Sequence, residues 1–374
     1  MRVSIIGPVQ PFRSGIARHT TALARELAGR PDVEVAIVSF ARQYPGFLYP
    51  GESEIDPNAH PPEGIETDFC LDSINPLSWR AAARKALSGK PDLAVIPAWT
   101  FFLAPCLGFI ARALRRRGVP VAMIVHNAED HEAARWKTAL SHFQLRQASR
   151  FLTHNGAIAA DLQRLVPGTP AGIFPLPVFD DYPQPRGSLQ RAASLELLFF
   201  GLVRPYKGLD IALRGLAAAD LEDARLSIVG EFWQGRAETE ALIRDLELED
   251  KVELVARYVS DQEAAEYFAR CDAVIAPYRS ATGSAVVALA QWYGRPVIAS
   301  DVAGLSQAVI DGKTGWLFPV DDVAALAELL RTRVSRPSAE AMHPAVERVR
   351  SELSWQRFAD ALLDPAREPA TARE

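Results

Sequence analysis

Short apolar runs that stop at a turn and give way to helix-spaced text recur along this chain. That alternation constrains the fold more than any other feature of the sequence. Val3–Gly7 reads as a strand, 15–28 as a helix with Ile16, Leu23 and Leu27 apolar, and 33–38 as the next strand. A polar, proline-rich stretch over 42–72 carries little regular structure. A loop of that length inside a compact domain is more often functional or flexible than idle. Then come a helix over 79–87, a strand over 93–96, a helix over 101–117 bent or begun at Pro105, and a strand over 121–125 ending in His126-Asn127. Helical text over 133–149, a strand at 151–153, a helix at 157–165 and a strand at 172–174 close the series. Repeated βα units of this kind imply an α/β fold with a doubly wound parallel sheet.

Between Pro175 and Ala193 the text changes, with prolines at 175, 177, 183 and 185. Each removes a ladder donor and makes a helix improbable, so a domain boundary is expected here. A second series then alternates: strands at 195–200, 225–229, 251–254, 273–276, 296–299 and 315–318, with helices at 208–218, 237–246, 261–269, 284–293, 305–310 and 323–334. A chain of 374 residues is too long for one compact core and suits two domains. Two Rossmann-like domains facing each other across a cleft would place a ligand in that cleft.

Composition narrows the class. Lys and Arg number 41 against 46 Asp and Glu, a net charge of −5, and nothing in that balance demands nucleic acid. Three widely separated cysteines, Cys70, Cys106 and Cys271, predict reduced thiols in a cytosolic setting. The opening V-S-I-I-G is expected to be a strand of the fold rather than part of a signal peptide. No apolar run approaches the roughly 20 residues needed to span a bilayer.

Leu197–Leu209, L-L-F-F-G-L-V-R-P-Y-K-G-L, holds the main chemical signal. A buried strand ends at a glycine, two cations follow in a short loop, and a helix resumes at Asp210. That is how α/β proteins place anionic ligands. The fork of Arg204 and the point charge of Lys207 together suit a diphosphate, and the competing reading is a solvated loop with two surface cations. His126 ends a predicted strand, which in an open sheet is the ligand edge. His126 and His131, five residues apart in loop text, share no helix face and make a poor metal pair.

The order of the motifs resembles the GT-B glycosyltransferases, specifically the large retaining group called family 4. The matching text is F-G-L-V-R-P-Y-K-G-L-D at 200–210, L-S-I-V-G-E at 226–231 and D-A-V-I-A-P-Y at 272–278. It continues with Y-G-R-P-V-I-A-S-D-V-A-G-L at 293–305 and D-G-K-T-G-W-L-F-P-V-D-D at 311–322, while 7–19 is similar to the family's first glycine-rich loop. The resemblance implies an acceptor-side domain over 1–180, a nucleotide-sugar-binding domain over 181–350, and a C-terminal helix over 351–374 returning toward the first. It also implies a hexosyltransferase-class enzyme whose donor is a nucleotide diphosphate-sugar, with no cofactor and no metal. No D-x-D pair stands where a GT-A enzyme would hold a metal. Arg204 and Lys207 would then hold the leaving diphosphate, where preorganised charge is worth more than in water. His126 would bond a hydroxyl or the leaving oxygen of the reacting sugar, unless it is an ordinary core histidine. Gly15 would let amides at the first helix approach the phosphates, or make a plain tight turn. Thr282, Gly283 and Ser284 would form a second anion-binding helix start.

This chain departs from the family in its carboxylates. The family's two donor-site glutamates fall at Ala281 and Leu289, and the usual Glu after the A-G-L turn is Gln307. Ser280, Thr282, Ser284 and Gln291 are candidates for neutral contacts, and Glu231 is the remaining well-placed carboxylate, unless it merely faces solvent. A sugar-nucleotide epimerase or hydrolase and a non-catalytic nucleotide-sugar-binding protein therefore stay open as alternatives. The acceptor implied is a glycan or a lipid-linked glycan in cell-envelope polysaccharide synthesis. The helix over 101–117 begins with Phe101, Phe102 and Leu103 and ends with Arg112, Arg115, Arg116 and Arg117. An apolar segment beside a basic end suits peripheral contact with an anionic membrane from the cytoplasmic side. In the competing reading the aromatics fill the core and the arginines are a solvated helix end.

Overall fold

A computed structural model describes residues 1–46, 54–56, 59–128, 135–187 and 189–364. The chain divides into two compact units, Met1–Pro175 together with the chain from Trp355, and Leu176–Ser354. The breaks fall at 175/176 and 354/355, a few residues from the 180/181 and 350/351 that the resemblance implies.

The first unit runs β1 (Arg2–Ile6), α1 (Gly15–Ala28), β2 (Glu34–Arg42), β3 (Glu66–Asp72), α2 (Pro76–Ser88), β4 (Leu93–Ala98), α3 (Ala104–Arg115), β5 (Val121–Val125), α4 (Arg135–Leu145), β6 (Arg150–Thr153), α5 (Gly156–Leu165) and β7 (Ala171–Ile173). Its seven strands pair in the order β3-β2-β1-β4-β5-β6-β7, all parallel. Every residue of β4 and of β5 is buried. These strands therefore read as continuous apolar runs, as a parallel sheet covered on both faces requires.

The second unit runs β8 (Leu195–Phe200), α6 (Leu209–Ala219), β9 (Ala224–Val229), α7 (Arg236–Asp245), β10 (Val252–Val255), α8 (Asp261–Arg270), β11 (Ala273–Ala276), α9 (Ala285–Trp292), β12 (Val297–Ser300), α10 (Ala303–Ser306), β13 (Gly315–Phe318), α11 (Val323–Thr332) and α12 (Arg336–Glu352). Its sheet has the order β10-β9-β8-β11-β12-β13. Alternate residues serve opposite layers: Leu197, Phe199, Ile228 and Ile275 pack to one side, and Leu198, Val229, Val274 and Ala276 to the other. A last helix, α13 (Trp355–Leu363), belongs to the first unit. It packs on α1, where Arg30 pairs with Asp360 at 2.8 Å and donates to the Gln356 carbonyl at 2.9 Å.

Three elements differ from the sequence reading. The stretch 42–72 includes a strand, β3, whose polar text E-T-D-F-C-L-D is only half-buried because it forms the sheet edge. Lys85 of α2 clips it there, 2.9 Å from Glu66 and 2.8 Å from Asp68. The 17-residue helix α12 lies in text the sequence reading left unassigned. Ser335 caps it and its prolines sit near the first turn and at Pro344, where they read as breaks. Finally, α3 begins at Ala104, not Phe101, and ends at Arg115. Leu103 is buried in the core, while Phe102 stacks on Tyr44 and Phe101 meets Trp136 edge-on. The aromatics thus sit at the carboxyl edge of the sheet, and the arginines lie at the opposite edge, about 18 Å away along the helix.

An ionic network ties the amino ends of β8 and β11. Arg191 grips both Asp272 oxygens at 3.0 and 2.7 Å, and Asp272 accepts the Glu196 N–H at 2.8 Å. Arg270, its side chain 7% exposed, reaches Glu196 at 3.7 Å and also pairs with Glu253. Glu196 is 1% exposed, and its carboxylate also accepts the Ala192 and Ala193 N–H groups at 2.6 and 3.2 Å. Arg270→Ala is expected to lower the unfolding free energy by about 3–5 kcal/mol, because it takes one guanidinium away from two carboxylates, Glu196 and Glu253, the first of them buried. Arg244→Ala, on the exposed side of α7, should change it by about 0.5 kcal/mol or less. Urea melts of both variants check this, and equal small effects would show the network to be dispensable.

Candidate functional site

Each sheet has a switch point where the strand order reverses, between β1 and β4 in one unit and between β8 and β11 in the other. Open α/β sheets bind ligands outside the carboxyl ends of the strands at such points.

In the second unit, β8 leads through Gly201 into a single 3-10 turn, Pro205–Lys207, and Gly208 then starts α6. Gly208 has φ 65°, and a Cβ there would lie 2.0 Å from the Pro277 carbonyl oxygen. Only glycine permits both the left-handed turn and that approach. The turn seats Lys207 against Tyr278, with Nζ 5.5 Å from the ring centroid. Lys207 is 8% exposed and has no carboxylate partner among the described residues. Asp210, three residues on, is taken instead by Arg279 through two bonds of 2.9 and 2.8 Å. Burial, reinforced by the neighbouring Arg204 charge, lowers the Lys207 pKa to about 8. Arg204 lies 3.9 Å above the Trp233 ring, and its Nε is buried without a hydrogen-bond partner. The two sequence-predicted cations are thus brought together against aromatic rings, and neither has a carboxylate partner among the described residues.

The helix start at 282–284 lies in the same unit. Ser284 caps α9 by accepting the Val287 N–H at 3.4 Å, and its hydroxyl is 3.5 Å from that of Tyr278. Gly304 lets this loop pack closely, since a Cβ there would meet the Ala281 carbonyl oxygen at 2.4 Å and the Gly283 nitrogen at 2.6 Å. Gly283 is exposed and Thr282 half-buried. Leu289 is buried in the apolar layer behind the sheet. Gln291 is buried too and donates to the Ala308 carbonyl at 2.9 Å, so it supports the fold rather than offering a ligand contact. Glu231 is half-buried beyond β9, its carbonyl accepting the Val203 N–H at 2.9 Å.

In the first unit, Gly15 opens α1 and is exposed, with Ser14 accepting the Ala17 N–H at 3.0 Å. His126 follows β5 and extends its ladder, its N–H donating to the Ala98 carbonyl at 2.9 Å. His154 follows β6 in the same register, Val125 being paired with Thr153. Two in-register residues of adjacent parallel strands point to one face, and here their imidazoles meet, His126 Nδ1 to His154 Nε2 at 3.1 Å. His19 of α1 packs edge-on against both, with centroids 4.8 and 5.2 Å away, and Trp355 and Phe358 of α13 close over it. Burial holds all three imidazoles below the ordinary range, His154 at about 4. His19 and His154 had no role in the sequence reading. The signal that could have found His154 is its place one residue past a strand next to that of His126. His131 lies outside the described residues.

Comparison with known proteins agrees with this architecture. Residues 14–178 match a glycosyl transferase 4-like domain, and residues 194–335 match the glycosyl transferases group 1 domain. The chain belongs to the family 4 glycosyltransferases, which are transferase enzymes of GT-B fold. A D-inositol 3-phosphate glycosyltransferase of Saccharomonospora viridis is 27% identical over 302 residues, covering 73% of this chain and 69% of that protein. Proteins of the same name from Mycobacterium tuberculosis are 31% identical over 232 residues, and there the match spans only 46% of the relative's length. Sucrose-phosphate synthase of Thermosynechococcus elongatus superposes with a TM-score of 0.73 at 19% identity, covering 98% of each chain. Anabaena HepE in complex with UDP-glucose does so at 0.66 and 16% identity, covering 97% of this chain and 96% of that one.

The unpaired Lys207 has a direct consequence. Its folded pKa lies below the unfolded value, so the folded protein binds fewer protons there between about 8 and 10.5. Its charge is therefore unfavourable to folding below pH 8, and stability from this group rises as pH climbs through that window. Lys207→Met should raise the melting temperature of the protein at pH 7, and raise it less at pH 9, where the ammonium is already largely lost. Thermal melts at pH 7 and 9 check this, and a destabilised Lys207→Met protein would contradict the assignment.

Proposed function

We propose that this protein moves a sugar from a nucleotide diphosphate-sugar to a glycan or lipid-linked acceptor in cell-envelope polysaccharide synthesis, with retention and without a metal. The observation that carries the reading is the buried, unpaired Lys207 beside Arg204 at the end of β8. A buried ammonium is tolerated at a cost unless an anion joins it, and a diphosphate supplies that anion. As the glycosidic bond breaks, negative charge grows on the leaving diphosphate. Cations already fixed by Tyr278 and Trp233 stabilise that charge with no reorganisation. The bound anion in turn raises the Lys207 pKa and keeps it protonated at neutral pH. The Anabaena protein with UDP-glucose bound lends support to a nucleotide-sugar donor. Backbone amides opening α9, with the Thr282 and Ser284 hydroxyls, are the neutral complement to the cations, and Gly15 serves likewise at α1. His126 is read as the partner of a substrate hydroxyl. With no carboxylate at 281 or 289, Glu231 is the remaining well-placed carboxylate of this unit.

The test is a thermal-shift screen of nucleoside diphosphates followed by turnover of the matching sugar donors. Arg204→Ala and Lys207→Ala should each lower kcat/KM by about 1.5–3 kcal/mol, roughly 10- to 150-fold, with the fold intact. A double variant with parental turnover would remove the proposal. Hydrolysis of the donor with no acceptor requirement would instead favour the epimerase or hydrolase reading, and binding without turnover a non-catalytic one.

Peripheral contact with an anionic membrane rests on Arg112, Arg115, Arg116 and Arg117, all exposed. Among the described residues no helix is long and apolar enough to cross a membrane. Basic residues near an anionic surface contribute about 1 kcal/mol each. Recovery with anionic vesicles in flotation should drop when all four become Gln, and recovery that ignores both lipid charge and substitution would dismiss this contact.

A further inference from the structure

His126 and His154 are joined by more than proximity. His154 Nδ1 lies 3.1 Å from the Phe174 carbonyl oxygen, just past β7, and His154 Nε2 lies 3.1 Å from His126 Nδ1. A carbonyl can only accept, so Nδ1 of His154 must carry the hydrogen. Burial keeps this ring neutral, so its Nε2 is bare and must accept. The hydrogen between the rings therefore sits on His126 Nδ1. The neutral His126 ring is then left with a bare Nε2, an atom that is buried and has no hydrogen-bond partner among the described residues. A buried acceptor without a donor is costly, and a ligand hydroxyl that supplies the donor removes that cost.

We propose that His154 is a positioning residue: anchored on the Phe174 carbonyl, it holds His126 as the Nδ1–H tautomer, so that Nε2 faces substrate as an acceptor for a hydroxyl proton. The assignment rests on the reading that His126 touches substrate. The two strands make the device: consecutive parallel strands deliver both rings to one face, and β7 places the anchoring carbonyl next to them. His19 makes no hydrogen bond to either ring. It acts as a wall, edge-on to both, and Phe358 stacks on His154 at 5.9 Å to hold the plane of the ring. An imidazole whose tautomer is not held would populate Nε2–H as well, and in that form it would meet a hydroxyl as a donor.

Nitrogen NMR of the ligand-free, histidine-labelled full chain reads the tautomer directly, with resonances assigned by single substitutions. His126 should show a protonated Nδ1 and a bare Nε2. In His154→Phe, which fills the space and removes the acceptor, His126 should move to Nε2–H. His154→Gln, whose side-chain oxygen can occupy the Nε2 position, should restore Nδ1–H. Melting curves separate these effects from loss of fold. An Nε2–H tautomer in the parent protein, or one unchanged in His154→Phe, would overturn the proposal. So would one equivalent of zinc surviving desalting with all three histidines shifted, since a metal site would then explain the cluster. His126→Gln assayed on the sugar donor found by screening tests the underlying reading alone. Undiminished turnover would sink the substrate contact while leaving the tautomer result standing. If both hold, His154→Phe should slow turnover about ten- to a hundredfold, and His154→Gln should recover most of it.

Discussion

The chemistry of this protein depends on parallel strand pairing. In a parallel ladder every strand ends on the same edge, so residues that follow the strands in sequence become neighbours in space. That edge gathers His126 and His154 from β5 and β6 in one unit. In the other it gathers the loop after β8 and the Pro277-Tyr278 turn after β11. Because the central strands are buried on both faces, their register cannot slip without driving apolar side chains into water. The geometry of both sites is thus inherited from the cores beneath them.

Lys207 shows what such a scaffold can impose. Left to itself, a lysine on a short loop would put its ammonium in water. The left-handed turn at Gly208, which approaches Pro277 too closely for any side chain, seats it instead against Tyr278. Asp210 could have neutralised it but is committed to Arg279, which also reaches Asp321 at 2.8 Å. The result is a site that is less stable empty than a neutral equivalent would be. Binding groups are held ready at the cost of stability, the usual exchange at functional sites.

In the first unit the same logic is applied with neutral groups. Three imidazoles share a region closed by Trp355 and Phe358, and burial keeps them uncharged. Among the described residues no carboxylate bonds His126. A backbone carbonyl orients it through a second histidine, which fixes the tautomer without adding a charge. The helix that closes this region, α13, arrives from the far end of the chain and is held by Arg30 and by the Arg150 bond to the Leu362 carbonyl.

Local text was enough for the alternation of strands and helices, the proline-marked break and the two cations after β8, because each is written within a few neighbouring residues. The edge strand β3 escaped it, since an edge strand is half-polar and looks like loop until its partner β2 is known. Helix α12 escaped because prolines near its first turn and at Pro344 read as breaks, although Ser335 caps it and its apolar face packs under β13's layer. Lys207 was legible as a cation and illegible as a buried one, because Tyr278, 71 residues on, does the burying. His154 and His19 were illegible for the same reason: neither has a motif of its own, and only the adjacency of β5 and β6 with α1 packed above brings them to His126. The sequence by itself determined the residue types and the kind of element that carries each one. Tertiary structure decided which groups are desolvated and which nitrogen bears a proton, because burial and hydrogen-bond direction depend on neighbours that lie far away along the chain.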